Sequence, residues 1–183
     1  MVLTRRQGAT MGTKMQVEVR SRGLGTEIVK GAVAGAVATW TMGAVTSFLY
    51  EQADSGDRRR EKRARRGRTP YGAAAEKVAA LFGEKLGKEE RERLGAVIHW
   101  TLGIGAGALY AGARQGLRRE DGSRGIALGA TFWGLVDEGL NPALGLTPGP
   151  DRFPWQAHAR GLAGHLSYGV VVDGTLRLLD RFV

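Results

Sequence analysis

The sequence contains no cysteine in 183 residues. This excludes disulfides, thiol catalysis, thiolate zinc sites and iron–sulfur clusters together. Proline is scarce, at 5 residues, and no Gly-X-Y period is present, so the chain is neither collagen-like nor a proline-rich tail. No G-x-S-x-G nucleophile elbow occurs, which leaves hydrolase chemistry unsupported. The three histidines lack HExxH or similar spacing, so no metal site is expected. Gly103-Ile104-Gly105-Ala106-Gly107 has no strand before it and no lysine after it, so it is not read as a phosphate loop. No cofactor and no enzymatic activity are expected. The first 30 residues are polar and lack an apolar h-region, so no cleavable signal peptide is expected either.

Glycine is abundant, at 29 of 183 residues, against an average near 7%. Lys and Arg total 27 and Asp and Glu 18, for a formal charge of +9. These charges are bunched, and four windows largely lack them. Residues 31–50 carry no charge, and in 94–113 only His99 is titratable. Residues 125–147 are interrupted by Asp137 and Glu138, and 161–178 by His165, Asp173 and Arg177. A membrane span needs about 20 predominantly apolar residues, which the first two windows supply. The windows show no polar stripe at helical period. Their glycines would each cost about 0.5–1 kcal/mol in a water-exposed helix, whereas small residues let helices approach closely in lipid. Gly31-xxx-Gly35, Gly103-xxx-Gly107 and Gly125-xxx-Gly129 have that packing spacing. Trp40, Trp100, Trp133, Tyr50 and Tyr110 lie within or beside the windows, and those near the ends suit an interfacial belt.

The expected fold is therefore all-α: an integral membrane four-helix bundle in a domain spanning 31–183, preceded by a polar segment 1–30. A soluble helical bundle is the alternative. The expected partners are the bilayer and its anionic lipids, with self-association through the same glycine faces. Between spans one and two lies a basic loop, in which Arg58, Arg59, Arg60, Lys62, Arg63, Arg65, Arg66 and Arg68 cluster. Beside a membrane span such a run reads as an anionic-lipid or partner contact, or a solvated linker, rather than a nucleic-acid site. Thr69-Pro70 then opens a helix over 71–93, with Val78, Leu81, Phe82 and Leu86 on one face. It reads as amphipathic, lying on the bilayer or on the bundle. Counting Lys and Arg by connection gives 15 on the side of this loop against 12 on the other, which leans toward a cytoplasmic first connection.

Ionisable groups inside a membrane cost about 2.5–3.5 kcal/mol on insertion scales and normally face the protein interior. His99, Asp137, Glu138, His165 and Asp173 are the candidates. His165 and Asp173 lie within about 80° of one another on a helix, and Asp137 and Asn141 share a face at i, i+4. One reading is a proton or ion path, since His changes charge between pH 5 and 8. The other is a set of interhelical hydrogen bonds. Asn141-Pro142 is expected to break or kink span three. Trp155 and His158 are placed at the membrane interface, and His158, seven residues before His165, shares its face if that helix starts early.

Lys30-Gly31-xxx-Gly35-Ala36 is echoed by Arg124-Gly125-xxx-Gly129-Ala130, and His99-x-Thr101-x-Gly103 by His165-x-Ser167-x-Gly169. Spans one and two would then correspond to spans three and four as two parallel two-helix repeats. Asn141-Pro142-Ala143-Leu144-Gly145-Leu146-Thr147-Pro148, then Phe153-Pro154-Trp155-Gln156 and Gly164-His165-Leu166, resemble the bacterial YagU-like inner-membrane family in their order. Val97-Ile98-His99 and its Gly-rich continuation look like that family's preceding span. The resemblance covers roughly Leu94–Arg181, and the Arg58–Arg68 run departs from it. It implies a small multi-pass protein of the bacterial cytoplasmic membrane, in a family associated with acid resistance. A structural or partner-binding membrane subunit without transport is the alternative to proton passage or sensing.

Overall fold

The computed structural model describes residues 8–114 and 123–182, with side chains described from residue 23 onward. Every element among the described residues is helical. In chain order they are α1 (Gly8–Gln52), α2 (Ser55–Arg65), α3 (Pro70–Leu81), α4 (Lys88–Arg114) and α5 (Ser123–Phe132). The last runs on through a π-helical stretch (Trp133–Leu140) into the single turn α6 (Asn141–Ala143). A 3-10 turn (Pro150–Arg152) leads to α7 (Trp155–Leu179). α1 packs against α4 and α7, α7 against α5, and α3 against the outside of α4.

Several boundaries differ from those expected. The polar segment 1–30 is not separate where it is described, because residues 8–30 continue into the first apolar window as one helix. No proline occurs before Pro70, so nothing interrupts the backbone ladder there. The basic loop is itself a helix, α2, started by Asp54, whose carboxylate accepts from Gly56 N at 2.6 Å. The amphipathic helix expected over 71–93 is two helices. Thr69 caps α3 by accepting from Gly72 N at 3.0 Å. Gly83, at φ 75°, then turns the chain in a conformation that glycine adopts without strain. Lys88–Arg93 belong to α4, the helix of the second window. The apolar edge Val78, Leu81 and Phe82 stays exposed, while Gly72, Ala73 and Ala75 are buried.

The third window holds a helix of changing pitch. Pro142 has no N–H, and just before it Asn141 N donates to Val136 O, five residues back. Gly145, at φ 62°, closes the helix. Two helices are long and apolar enough to cross a membrane, Gly23–Gln52 and Lys88–Arg114. The third and fourth expected spans do not meet that measure among the described residues. The third is broken by its acidic pair and its change of pitch, and α7 carries Arg160, Asp173 and Arg177.

The interior is built from small side chains. On α1 the buried positions are Gly31, Ala34, Gly35, Ala38 and Thr39, spaced as one helical face. Val33, Val37 and Trp40 point outward, Trp40 at 67% exposure. Each glycine pair named above lies at a close crossing. A Cβ on Gly35 would stand 2.6 Å from Gly103 O, and one on Gly107 2.6 Å from Gly35 Cα. A Cβ on Gly125 would stand 2.7 Å from Gly169 O, and one on Gly129 would strike the backbone of His165 and Leu166. The outer faces of α1 and α4 are correspondingly apolar, with Val29, Phe48, Val97 and Leu109 exposed.

Candidate functional site

The π-helical stretch and the first half of α7 place a set of titratable groups around a half-open cavity of about 310 Å³. Asp137 and Glu138 project into it from one wall, His158 and His165 from α7, His99 from α4, and Tyr71 from the start of α3. It lies at the end of the molecule that carries α2 and the Pro148–Pro154 loop, with Arg65 and Arg160 in its lining.

The geometry at His158 fixes its hydrogen bonding. Nε2 lies 3.0 Å from the Pro150 carbonyl, which can only accept, so Nε2 carries a hydrogen. Nδ1 lies 2.6 Å from a Glu138 oxygen. Either the imidazolium donates to the carboxylate or the carboxylic acid donates to the ring. His165 is buried, with Nδ1 3.0 Å from Gly161 O. That bond puts the proton on Nδ1 and leaves Nε2 as the acceptor of the neutral ring. Asp137 Oδ2 is 3.7 Å from the same Nδ1, and Asn141 Nδ2 donates to Asp137 Oδ1 at 3.4 Å.

Aromatic rings fill the walls. Tyr71 packs on His99 with ring centroids 4.6 Å apart, and Phe132 meets His165 edge-on at 5.3 Å. Burial, with the Asp137 carboxylate nearby, pushes the Tyr71 phenol well above its ordinary value. Trp133 Nε1 is the buried side-chain donor left without a partner among the described residues. A buried N–H facing a polar cavity without a partner marks a place for a water or a bound acceptor. Among the described residues no three His, Asp or Glu side chains are arranged to hold a metal ion.

The cavity is closed toward the middle of the molecule. Beyond His99 and His165 the adjoining space is about 10 Å³, lined by Thr39, Leu102, Gly103, Phe132 and Tyr168. That is at the lower limit for a single water. Tyr168 is buried there and donates to Gly103 O at 2.6 Å. Asp173 lies beyond this layer, apart from the other four candidates. It accepts from Tyr110 at 2.8 Å and pairs with Arg177 at 2.8 Å. On α7 it stands two turns past His165, which shares its face but not its surroundings.

Two charged groupings bound the helices. At the cavity end Arg160 Nη2 reaches both oxygens of Glu61 at 2.6 Å, and its guanidinium lies 5.0 Å from the centre of the Tyr50 ring. Arg65 also pairs with Glu61 at 2.9 Å, and Arg91 with Glu76 at 2.9 Å. At the opposite end Lys30 pairs with Glu27 and Asp180, and Arg114 pairs with both acids at 2.8 Å. Burial alone would raise Asp180, but the hydrogen bonds from Arg114 and Lys30 hold its carboxyl below the ordinary range.

Of the eight basic residues in the run, Arg65 pairs with Glu61 within α2 and lies 5.6 Å from the Phe153 ring, Arg68 pairs with Glu76 of α3, Arg58 lies 6.0 Å from the Tyr50 ring, and Arg60 pairs with Asp57. Arg59, Lys62, Arg63 and Arg66 are exposed. Trp155 is 71% exposed at the start of α7. Sequence reasoning missed the Arg160–Glu61 pair and the contact of His158 with Glu138. A lone arginine early in α7, and acids at i, i+4 inside a basic run (Asp57 and Glu61), were the available signals. The chain matches no protein-family model, no curated protein and no solved structure.

Proposed function

We propose that this chain is a non-enzymatic, multi-pass protein of the bacterial cytoplasmic membrane that binds protons in a one-sided cavity and so responds to acid. The observation that carries this reading is the convergence of Asp137, Glu138, His158 and His165 on one half-open space. The residues beyond it leave no room for a file of waters, which favours proton binding over proton passage.

The membrane part of the reading rests on the inside-out distribution of side chains. Small and polar residues face inward, while bulky apolar ones cover α1 and α4. Only 22% of the apolar window is buried in each of those two helices, unlike the core helix of a water-soluble protein. From Arg160 to Asp180 along α7, at 1.5 Å per residue, is about 30 Å. That equals the hydrocarbon thickness of about 30 Å. α1, α4, α7 and the α5–α6 segment then form a membrane bundle, with α7 held in lipid by its contacts with α1 and α5 by its contacts with α7, rather than by their own hydropathy. By the positive-inside rule the cavity end, which carries α2, faces the cytoplasm.

The test uses purified protein in sealed liposomes. Trp133 lines the cavity, so its fluorescence should follow pH, and His165→Gln and Asp137→Asn should shift that titration. Proton flux should stay at the level of empty liposomes. Sustained flux abolished by Asp137→Asn would replace binding with passage. A fluorescence response indifferent to both substitutions would remove the proton-binding role.

A further inference from the structure

We infer that the groove between α2 and the Pro148–Pro154 loop is a binding site for the phosphate headgroup of an anionic membrane lipid. Arg60 and Arg63 line it from α2, Arg66 from the residue that caps that helix, and Arg152 from the loop. Four arginines from two separate segments thus line one open space, with Asp151 as the single carboxylate among the lining residues. That acid is largely exposed and lies 3.3 Å from Arg152. Arg60 pairs with Asp57 at 3.0 Å, so Arg63 and Arg66 supply the unbalanced positive charge of the groove.

The helix is built to present these charges. Asp57 and Glu61 are buried on its inner face, where Arg65 and Arg160 neutralise Glu61. Arg63 and Arg66 fall on the opposite side and make no side-chain hydrogen bond or ion pair among the described residues. Arginine's planar fork suits phosphate oxygens in a way lysine does not.

The surroundings favour a lipid over a dissolved anion or a nucleic acid. Phe153 and Pro154 lie in the groove wall, and Pro154 is followed by Trp155, which is 71% exposed. A headgroup site with apolar side chains around it is what the edge of a bilayer requires. This inference rests on the membrane reading above for its depth, but the two fail separately.

The full chain would be reconstituted in phosphatidylcholine vesicles, with and without about one phosphatidylglycerol in five lipids. After mild detergent extraction, phosphatidylglycerol retained per chain would be measured by mass spectrometry. Wild type should retain it, and R63Q/R66Q/R152Q should retain about tenfold less. R59Q/K62Q, which removes two exposed cations outside the groove lining, should retain it as wild type does. Equal loss in both variants, or none in the triple variant, overturns the site. Displacement by inorganic phosphate but not by chloride at matched ionic strength assigns the groove to free phosphate and overturns the lipid. Displacement by a short RNA, dependent on the same three arginines, overturns it in favour of nucleic acid. Carbonate resistance in pure phosphatidylcholine vesicles reports spanning independently. A chain that carbonate extracts but that still loses phosphatidylglycerol through the triple variant keeps the site and refutes the spanning.

Discussion

The two ends of this molecule are made from the same kinds of side chain and do opposite things. At one end Glu27, Lys30, Arg114 and Asp180 neutralise one another and seal α1, α4 and α7 together. At the other, Asp137, Glu138, His158 and His165 stand around open space, with Arg160–Glu61 as the buried tie beside them. Pairing makes charge structural at the first end, and room for water leaves charge available for chemistry at the second. Between the ends lies a layer of glycine, alanine and Tyr168 that separates the cavity from Asp173.

The largest way to break this asymmetry is to remove the tie that frames the cavity. Arg160→Ala leaves Glu61 buried with Arg65 alone, and truncating one member of a buried pair costs about 3–5 kcal/mol. Thermal unfolding in detergent should show this loss, and a change near zero would mean that the pair is dispensable. Next comes the middle layer. Gly129→Ala and Gly107→Ala force helix backbones apart and should cost about 1–3 kcal/mol. Gly43→Ala and Gly105→Ala, where a Cβ meets nothing within 4 Å, should be neutral or slightly stabilising. Equal effects at all four sites would mean that close crossing is not what these glycines provide.

The sealed end gives a smaller, pH-dependent effect. The Asp180 carboxyl is held below its ordinary value of 3.8. Its contribution is therefore fully present above the unfolded value and is lost as pH falls through the depressed folded one. Asp180→Asn should destabilise by a constant amount at neutral pH, and the gap to wild type should close only in strong acid. A gap that closes between pH 5 and 7 would place the responsible group elsewhere. The smallest effect on stability is expected at the open end. His158→Gln keeps a donor toward Pro150 O and should barely move unfolding, while altering the pH response of Trp133 fluorescence.

Helical class was legible because the apolar windows are long and proline is absent from residues 1–69. Each window lies within a helix or, for the third, ends in the turn after one. The close pairing of Gly31 and Gly35 with Gly103 and Gly107 is likewise written in their four-residue spacing. What hydropathy cannot show is size. The windows read as apolar all round, yet α1 buries Gly, Ala and Thr and exposes Val and Trp, a stripe of volume rather than polarity. The break at Gly83 was hidden because an i, i+3, i+4 pattern continues across it, and only its positive φ reveals the turn. The cavity was half legible. Four of five intramembrane candidates line it, but Asp173, grouped with them as an ionisable residue in an apolar window and on the face of His165, lies apart, and its neighbours Tyr110 and Arg177 set its role instead. His158 was placed at the interface with Trp155, although its seven-residue spacing already put it on the face of His165. The wide π turn brings Glu138 to it, and no periodicity in the sequence announces that turn.

The central claim is that the bulky outer face meets hydrocarbon and the cavity end meets water. The absence of native cysteine makes a single-cysteine scan clean. Val37→Cys and Leu109→Cys, on the exposed outer faces of α1 and α4, should resist a membrane-impermeant maleimide in intact vesicles, while Arg63→Cys and Asp151→Cys react from one and the same side. Labelling of Val37→Cys and Leu109→Cys as fast as Arg63→Cys would contradict the account.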